Sequence, residues 1–294
     1  MEALLEDEAC LYVVMHSPRE SHDRLLRELV RPFVLEIRGQ KDLDSFFFIR
    51  YDDPDWQLRF RVLGRRAWVD GPVRDRLDRA LRPLVAEGVI RGLEFGEYAR
   101  EWERYGGTLG MRLAERIFLH DSVACLELLQ TEEKGQLGKS RREWSLMLTE
   151  RLLDLFGFDA TRRLAFYRSG HDWAFRDGLF KEEDIPGLER KYQTIRKGLD
   201  DLFLGDQSRD PALQYGGPEA ARIACGLLEA TRPVAEELLA AHAEGKIVQD
   251  LGTLVWSYAH LHCNRLGIEL APEAILRYLM FRWYEELSGR EESP

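Results

Sequence analysis

A chain of 294 residues, 45% hydrophobic and 32% charged, has the composition of a globular protein that can bury one large core or two smaller ones. Its formal net charge of −10 argues against a general nucleic-acid binder, which needs a basic face to neutralise phosphates. The opening MEALLEDEACLYVVM is acidic where a signal peptide is basic, and no apolar run reaches the roughly 20 residues of a membrane helix, so a cytoplasmic protein without membrane contact is expected.

In chain order, the apolar, β-branched run Cys10–His16 predicts a strand. Ser21–Arg38 follows with helical spacing of Leu25, Leu26, Leu29 and Val30, and Ser21 is the candidate N-cap. Phe46–Tyr51 and Gln57–Val62 read as two strands joined by the turn cluster Asp52-Asp53-Pro54-Asp55. A helix over Pro72–Glu87 places Leu77, Ala80, Leu81 and Leu84 on one stripe, and Leu93–Ala99 reads as a fourth strand. Strand, helix, strand, strand, helix, strand is the ferredoxin-like arrangement, an antiparallel sheet with both helices on one face. The other face is left for a second layer or a ligand.

From Gly107 the character changes to long helices: Thr108–Gln130, Arg141–Leu155, a helix-rich Asp159–Asp206, Pro218–Glu244, Val248–Leu266 and Pro272–Leu287. Thr131–Ser140 and Gly205–Gly217 are polar and read as surface loops. The expected fold is therefore α+β, with a ferredoxin-like part over residues 1–106 packed against a mainly helical part over 107–294. The four cysteines, Cys10, Cys125, Cys225 and Cys263, are scattered in apolar stretches and form no CxxC pair, so reduced thiols and no thiolate metal site are expected.

Three segments carry candidate chemistry. In Gln57–Val62, alternation points Leu58, Phe60 and Val62 one way and Arg59 and Arg61 the other, with Arg50 at the end of the preceding strand. Facing water, such arginines are ordinary; under a helical layer, they would need an anion, for which a guanidinium is suited. Glu97–Gly107 (EYAREWERYGG) brings Arg100 and Arg104 to a Gly-Gly turn before a long helix, a candidate anion seat. Ser257–Gly267 (SYAHLHCNRLG), if helical, sets His260 and Asn264 on one face, with Arg265 beside them and Gly267 as the stop. His262 is rotated from His260 by roughly 200° on such a helix, so the HxH pair cannot share a metal.

Together, in this order and at this wide spacing, IRYxDP…LRxR, RYGG and HxHxNRL resemble the thiopeptide-type bacteriocin biosynthesis proteins and the elimination domain of class I lantibiotic dehydratases. The resemblance runs from Leu11 to about Leu287, and the chain is too short to hold the large glutamylation domain of full-length dehydratases. It implies the small subunit of a split dehydratase: a separate tRNA-dependent enzyme glutamylates Ser or Thr of a ribosomal precursor peptide, and this chain expels glutamate to leave dehydroalanine or dehydrobutyrine. It further implies two catalytic arginines and a histidine, here Arg59 or Arg61, Arg100 with Arg104 as the close alternative, and His260. Arg50, Arg104, Asn264 and Arg265 are expected to help bind substrate. No cofactor, metal or direct nucleic-acid contact is implied. Because related domains often self-associate, a homodimer is compatible with it. A sister branch, the pyridine synthases, joins two dehydroalanines in a formal [4+2] cycloaddition and lacks the arginine and histidine set. A non-catalytic, peptide-presenting partner is the third alternative.

Overall fold

The structure, a computed structural model, describes residues 7–205 and 210–291. It forms two compact units, Met1–Gln136 with Cys225–Asp250, and Leu137–Ala224 with Leu251–Pro294.

The first unit contains the α+β part. Its elements are β1 (Glu8–His16), α1 (residues 22–37), β2 (Leu43–Tyr51), β3 (Gln57–Arg65), α2 (residues 66–86) and β4 (Gly92–Gly96). All neighbouring strands are antiparallel in the order β2-β3-β1-β4, the ferredoxin-like topology that the sequence predicts. Both helices contain a widened π turn, Leu26–Val30 before Pro32 and Val69–Val73 around Pro72. Proline has no N–H to offer the preceding turn and its ring crowds that turn's carbonyl, which the wider turn relieves.

Alternation decides the core. Val13, Met15, Leu58, Phe60 and Val62 are wholly buried and share the helix side of the sheet, where Phe33 of α1 meets Phe60 edge-on at 5.8 Å. The turn at 52–55 is held by Gln57, whose Nε2 donates to the carbonyls of Asp53 at 3.1 Å and Asp55 at 3.3 Å. Two expectations need correction. Ser21 does not cap α1: it is already helical at φ −85°, ψ −14°, within a 3₁₀ turn (Arg19–Ser21) that begins after Pro18, and its side chain makes no capping bond. The fourth strand stops at Gly96, opposite Tyr12, because the chain there leaves β1 and carries Tyr98 and Arg100 over the sheet.

The second face is covered beside β2 by α3 (Thr108–Glu133): Ser45 Oγ donates to the Glu115 carbonyl at 2.7 Å, and Phe47 packs on Phe118 at 5.2 Å. Gly106 precedes α3 with φ +79°, and an added Cβ would lie 2.6 Å from Ile247. Only glycine suits that position. The Gly-Gly turn is thus packed against residues 247–249 at Gly106.

The second unit is helical: α4 (Arg141–Leu155), α5 (Ala160–Arg176), α6 (Ile185–Phe203), α7 (Pro211–Tyr215), the start of α8 (Pro218–Ala243), α9 (Leu251–Arg265) and α10 (Leu270–Glu291). The helix-rich stretch expected over 159–206 is two helices, Asp206 lies outside the described residues, and the expected 205–217 loop contains α7. α4 begins with a Ser140–Glu143 capping box, and α9 ends as expected at Gly267, whose φ is +78°. Its buried polar hub is Glu150, which accepts from Tyr167 at 2.6 Å, Tyr284 at 2.5 Å and Arg163 at 2.6 Å. No helix among the described residues is long and apolar enough to cross a membrane.

The wholly buried His22 beside Arg50 gives the first unit a pH signature. Burial first, then the Arg50 charge, push its imidazole down from 6.5 to about 4. The unfolded chain therefore takes up the proton first, and stability falls as pH drops from 6.5 towards 4, by on the order of 2–3 kcal/mol. Urea titrations across that range should show this loss, and His22→Gln should flatten it.

Candidate functional site

Arg61 is the unusual residue of the sheet. Cross-strand pairing puts Tyr12 on one side of it and Phe47 on the other, all pointing away from α1 and α2. Its guanidinium carbon lies 4.3 Å from the Tyr12 ring centre, 5.2 Å from Phe47 and 5.0 Å from Tyr98. The residue is 8% exposed and its Nε has no hydrogen-bond partner. No carboxylate among the described residues pairs with it, and burial pulls its pKa down. Ring faces offset part of that desolvation by cation–π attraction, worth up to about 2 kcal/mol each. An anion would offset the rest.

Arg59, two residues earlier on the same face, stacks at 3.5 Å on the Tyr51 ring and donates from Nε to Gln57 Oε1 at 2.9 Å. It too meets no carboxylate among the described residues. Arg50 is on the opposite, helix-side face, where it is buried and donates to Asp23 at 2.6 Å. Phe46, Phe48 and Arg50 alternate with Phe47 and Ile49, so the structure separates Arg50 from the other two.

Arg100 comes to the same side of the sheet as Arg61 but is saturated. Its Nε and Nη2 donate to Glu115 at 2.7 and 3.0 Å, and Nη2 and Nη1 donate to Glu8 at 2.5 and 3.3 Å. All three side chains are under 10% exposed. Burial opposes the charge of Arg100, and the two carboxylates outweigh it and hold the pKa up; burial raises Glu115 despite that pairing. Beside this triad the Cys10 thiol is pushed up to about 12, chiefly by burial, and is not a nucleophile at neutral pH. Arg104 is partly exposed and donates to Glu101 at 2.9 Å.

The histidine segment lies in the second unit. His260 Nδ1 is 2.8 Å from Glu273 Oε2, and the opposite oxygen of Glu273 accepts from Arg277 Nε at 2.9 Å and Nη2 at 2.6 Å. Arg277 in turn lies 3.5 Å from the Trp256 ring centre. Glu273 is 1% exposed, and although burial works against its charge, Arg277 and His260 hold its carboxyl below the usual carboxylate range. An ionised acceptor fixes the proton on Nδ1, which leaves Nε2 of the neutral ring to accept or return a proton. The His260 side chain keeps 29% exposure, whereas His262 and Arg265 are buried at 5% and 1%. Asn264 is one turn on from His260 and half-buried.

Two sets of residues are new relative to the sequence reading. Of the cage residues, Tyr12 and Phe47 have only a weak trace, as aromatic side chains within apolar strands, and Tyr98, beyond the end of β4, has none. The anchor Glu273 and its partner Arg277 have a firmer one, since ExxxR places an acid and a base on one helix face.

The sequence model of one family, described as the C-terminal part of lantibiotic biosynthesis dehydratase, matches residues 11–284. Subtilin biosynthesis protein SpaB of Bacillus subtilis is 23% identical over 261 residues, which cover 87% of this chain and 23% of SpaB. The chain thus spans about a quarter of the length of that curated relative. Its fold resembles the tRNA-dependent lantibiotic dehydratase MibB of Microbispora sp. 107891, with a TM-score of 0.71 and 22% identity over 99% of this chain and 29% of MibB. It resembles equally the pyridine synthase TbtD from thiomuracin biosynthesis, with a TM-score of 0.70 and 13% identity over 96% of this chain and 99% of that one.

Arg61 and Arg100, whose side chains are both buried, should behave oppositely when neutralised. Arg100→Leu leaves two buried carboxylates facing each other and should cost about 3–5 kcal/mol. Arg61→Met keeps the apolar volume and removes an uncompensated charge, so it should change stability by less than about 1.5 kcal/mol. Urea unfolding of both variants checks the contrast.

Proposed function

The chain belongs to the lantibiotic biosynthesis dehydratase C-terminal family, and from that premise we propose that it is a glutamate eliminase. Its substrate is a ribosomal precursor peptide whose Ser or Thr hydroxyls carry glutamate as an ester, added by a separate tRNA-dependent dehydratase. Its products are dehydroalanine or dehydrobutyrine and free glutamate. The observation that carries the proposal is Arg61: a buried cation in an aromatic cage, unanswered by any carboxylate among the described residues, is matched by a substrate that is itself anionic.

In the reaction the Cα–H bond of the esterified residue breaks and its electron pair becomes the Cα=Cβ bond. That pair is held first on the adjacent amide, and as it moves into the double bond the Cβ–O bond breaks and glutamate leaves as a carboxylate. Negative charge grows first on the amide oxygen next to Cα and then on the leaving group. Arg61, with Arg59, is assigned to these charges, the electrostatic part of the catalysis. His260, its Nδ1 proton held by Glu273, is assigned to moving the proton at Nε2, a role typically worth about 10²–10⁴-fold. Arg100 supports this chemistry from behind: with Glu8 and Glu115 it fixes the segment that brings Tyr98 to the cage.

The test is mass spectrometry of a pre-glutamylated precursor peptide incubated with the protein. The expected result is loss of the glutamyl mass, with single-turnover rates reduced at least about 100-fold in His260→Ala and similarly in Arg61→Met. No mass loss on a correctly glutamylated peptide overturns the assignment. Macrocycle formation from a peptide bearing two dehydroalanines would replace it with pyridine synthesis.

A further inference from the structure

We propose that the helical unit carries a docking cleft for a peptide segment in which bulky apolar side chains are flanked by carboxylates. The proposal rests on the reading above only in taking a peptide as the natural occupant. The cleft lies among α4, α6 and α10 and has a volume of about 410 Å³, within the range of formed ligand sites. Leu146, Ile195, Leu202 and Ile275 give it apolar walls.

Its rim carries the opposite character. Arg142 on α4 and Lys191 on α6 are both exposed, and neither is paired with an acid among the described residues. The one rim carboxylate, Glu143, is engaged as the cap of α4, accepting from the Ser140 backbone N–H and hydroxyl at 2.8 Å each. Two cations left unanswered beside apolar surface, on a chain of net charge −10, complement an acidic amphipathic ligand. Because they stand on different helices, they suit carboxylates on both sides of an apolar residue better than a single-headed amphiphile.

Gly198 adds an independent sign. It lines the cleft inside α6, with ordinary helical geometry, and a Cβ added there would meet nothing within 4 Å. Alanine would fit and would favour the helix. Packing inside the chain therefore does not call for glycine here, whereas close approach of a ligand to the α6 backbone does.

Fluorescence anisotropy of the full chain with a labelled synthetic peptide carrying Leu and Phe flanked on both sides by Glu tests this, using no glutamylated substrate. Its failure therefore leaves elimination standing, and failure of elimination leaves the binding result standing. Expected are saturable binding, at least about tenfold weakening in Gly198→Trp and in the Arg142→Glu, Lys191→Glu double variant, and little change in Gly198→Ala. Equal binding of peptides with Lys for Glu, or with Ala for Leu and Phe, overturns it. So does unchanged binding in a Gly198→Trp protein of native thermal stability, or binding of dodecanoate in place of the peptide. Should Gly198→Trp fail to fold, the double charge reversal on the surface decides.

Discussion

Taking a guanidinium out of water without giving it a carboxylate is among the more costly things a fold can do, and the sheet of the first unit is organised around doing it at Arg61. Antiparallel pairing sets Tyr12 and Phe47 directly beside it on the neighbouring strands. The early end of β4 then lets the chain return with Tyr98 as the third ring. Ring faces attract the cation without neutralising it, so the site keeps its charge and stays poised for an anion. A carboxylate in place of any one ring would have satisfied Arg61 and closed it to any other anion.

The same unit shows the alternative solution a few residues away. The Arg100 side chain is as deeply buried, yet it is clasped by Glu8 and Glu115. Such a cluster has its donors and acceptors matched within the chain, and it ties the segment carrying Tyr98 to β1 and α3. In the second unit the pattern Arg277–Glu273–His260 again uses a buried arginine to hold a carboxylate ionised, and here the carboxylate spends its second oxygen on an imidazole. Three buried arginines thus stand in three settings: one among aromatic rings, one clasped by two carboxylates, and one holding a carboxylate that also pairs with an imidazole.

Much of this was legible in the sequence where a local period carries the information. Alternation in Gln57–Val62 correctly set Arg59 and Arg61 opposite Leu58, Phe60 and Val62, and the order of elements gave the sheet topology. The helical period of Ser257–Gly267 correctly kept His260 and His262 apart. What stayed hidden depends on pairs distant along the chain. Glu8 is 92 residues from Arg100, and nothing in EYAREWERYGG distinguishes a saturated arginine from an open one. The same limit applies to Glu273, 13 residues beyond His260 across the Gly267 stop, and to Ser21, where the preceding Pro18 starts the turn before the expected cap can act.

The helix α10 carries both the Glu273–Arg277 pair that anchors His260 and part of the apolar cleft. Glu273 and Arg277 are four residues apart on the face that anchors His260, while Ile275 and its neighbours Pro272 and Leu279 line the cleft. Between them, Tyr278, Met280 and Tyr284 bury the remaining sides of the helix, and Tyr284 is tied to Glu150. A helix packed on nearly every side cannot rotate without disturbing all its contacts, because interiors near crystalline density transmit displacement instead of absorbing it. The tautomer-fixing carboxylate and the floor of the cleft are therefore held in one fixed relation. The placing of His260 rests on the packing of α10 as a whole, more than on the hydrogen bond that His260 donates to Glu273.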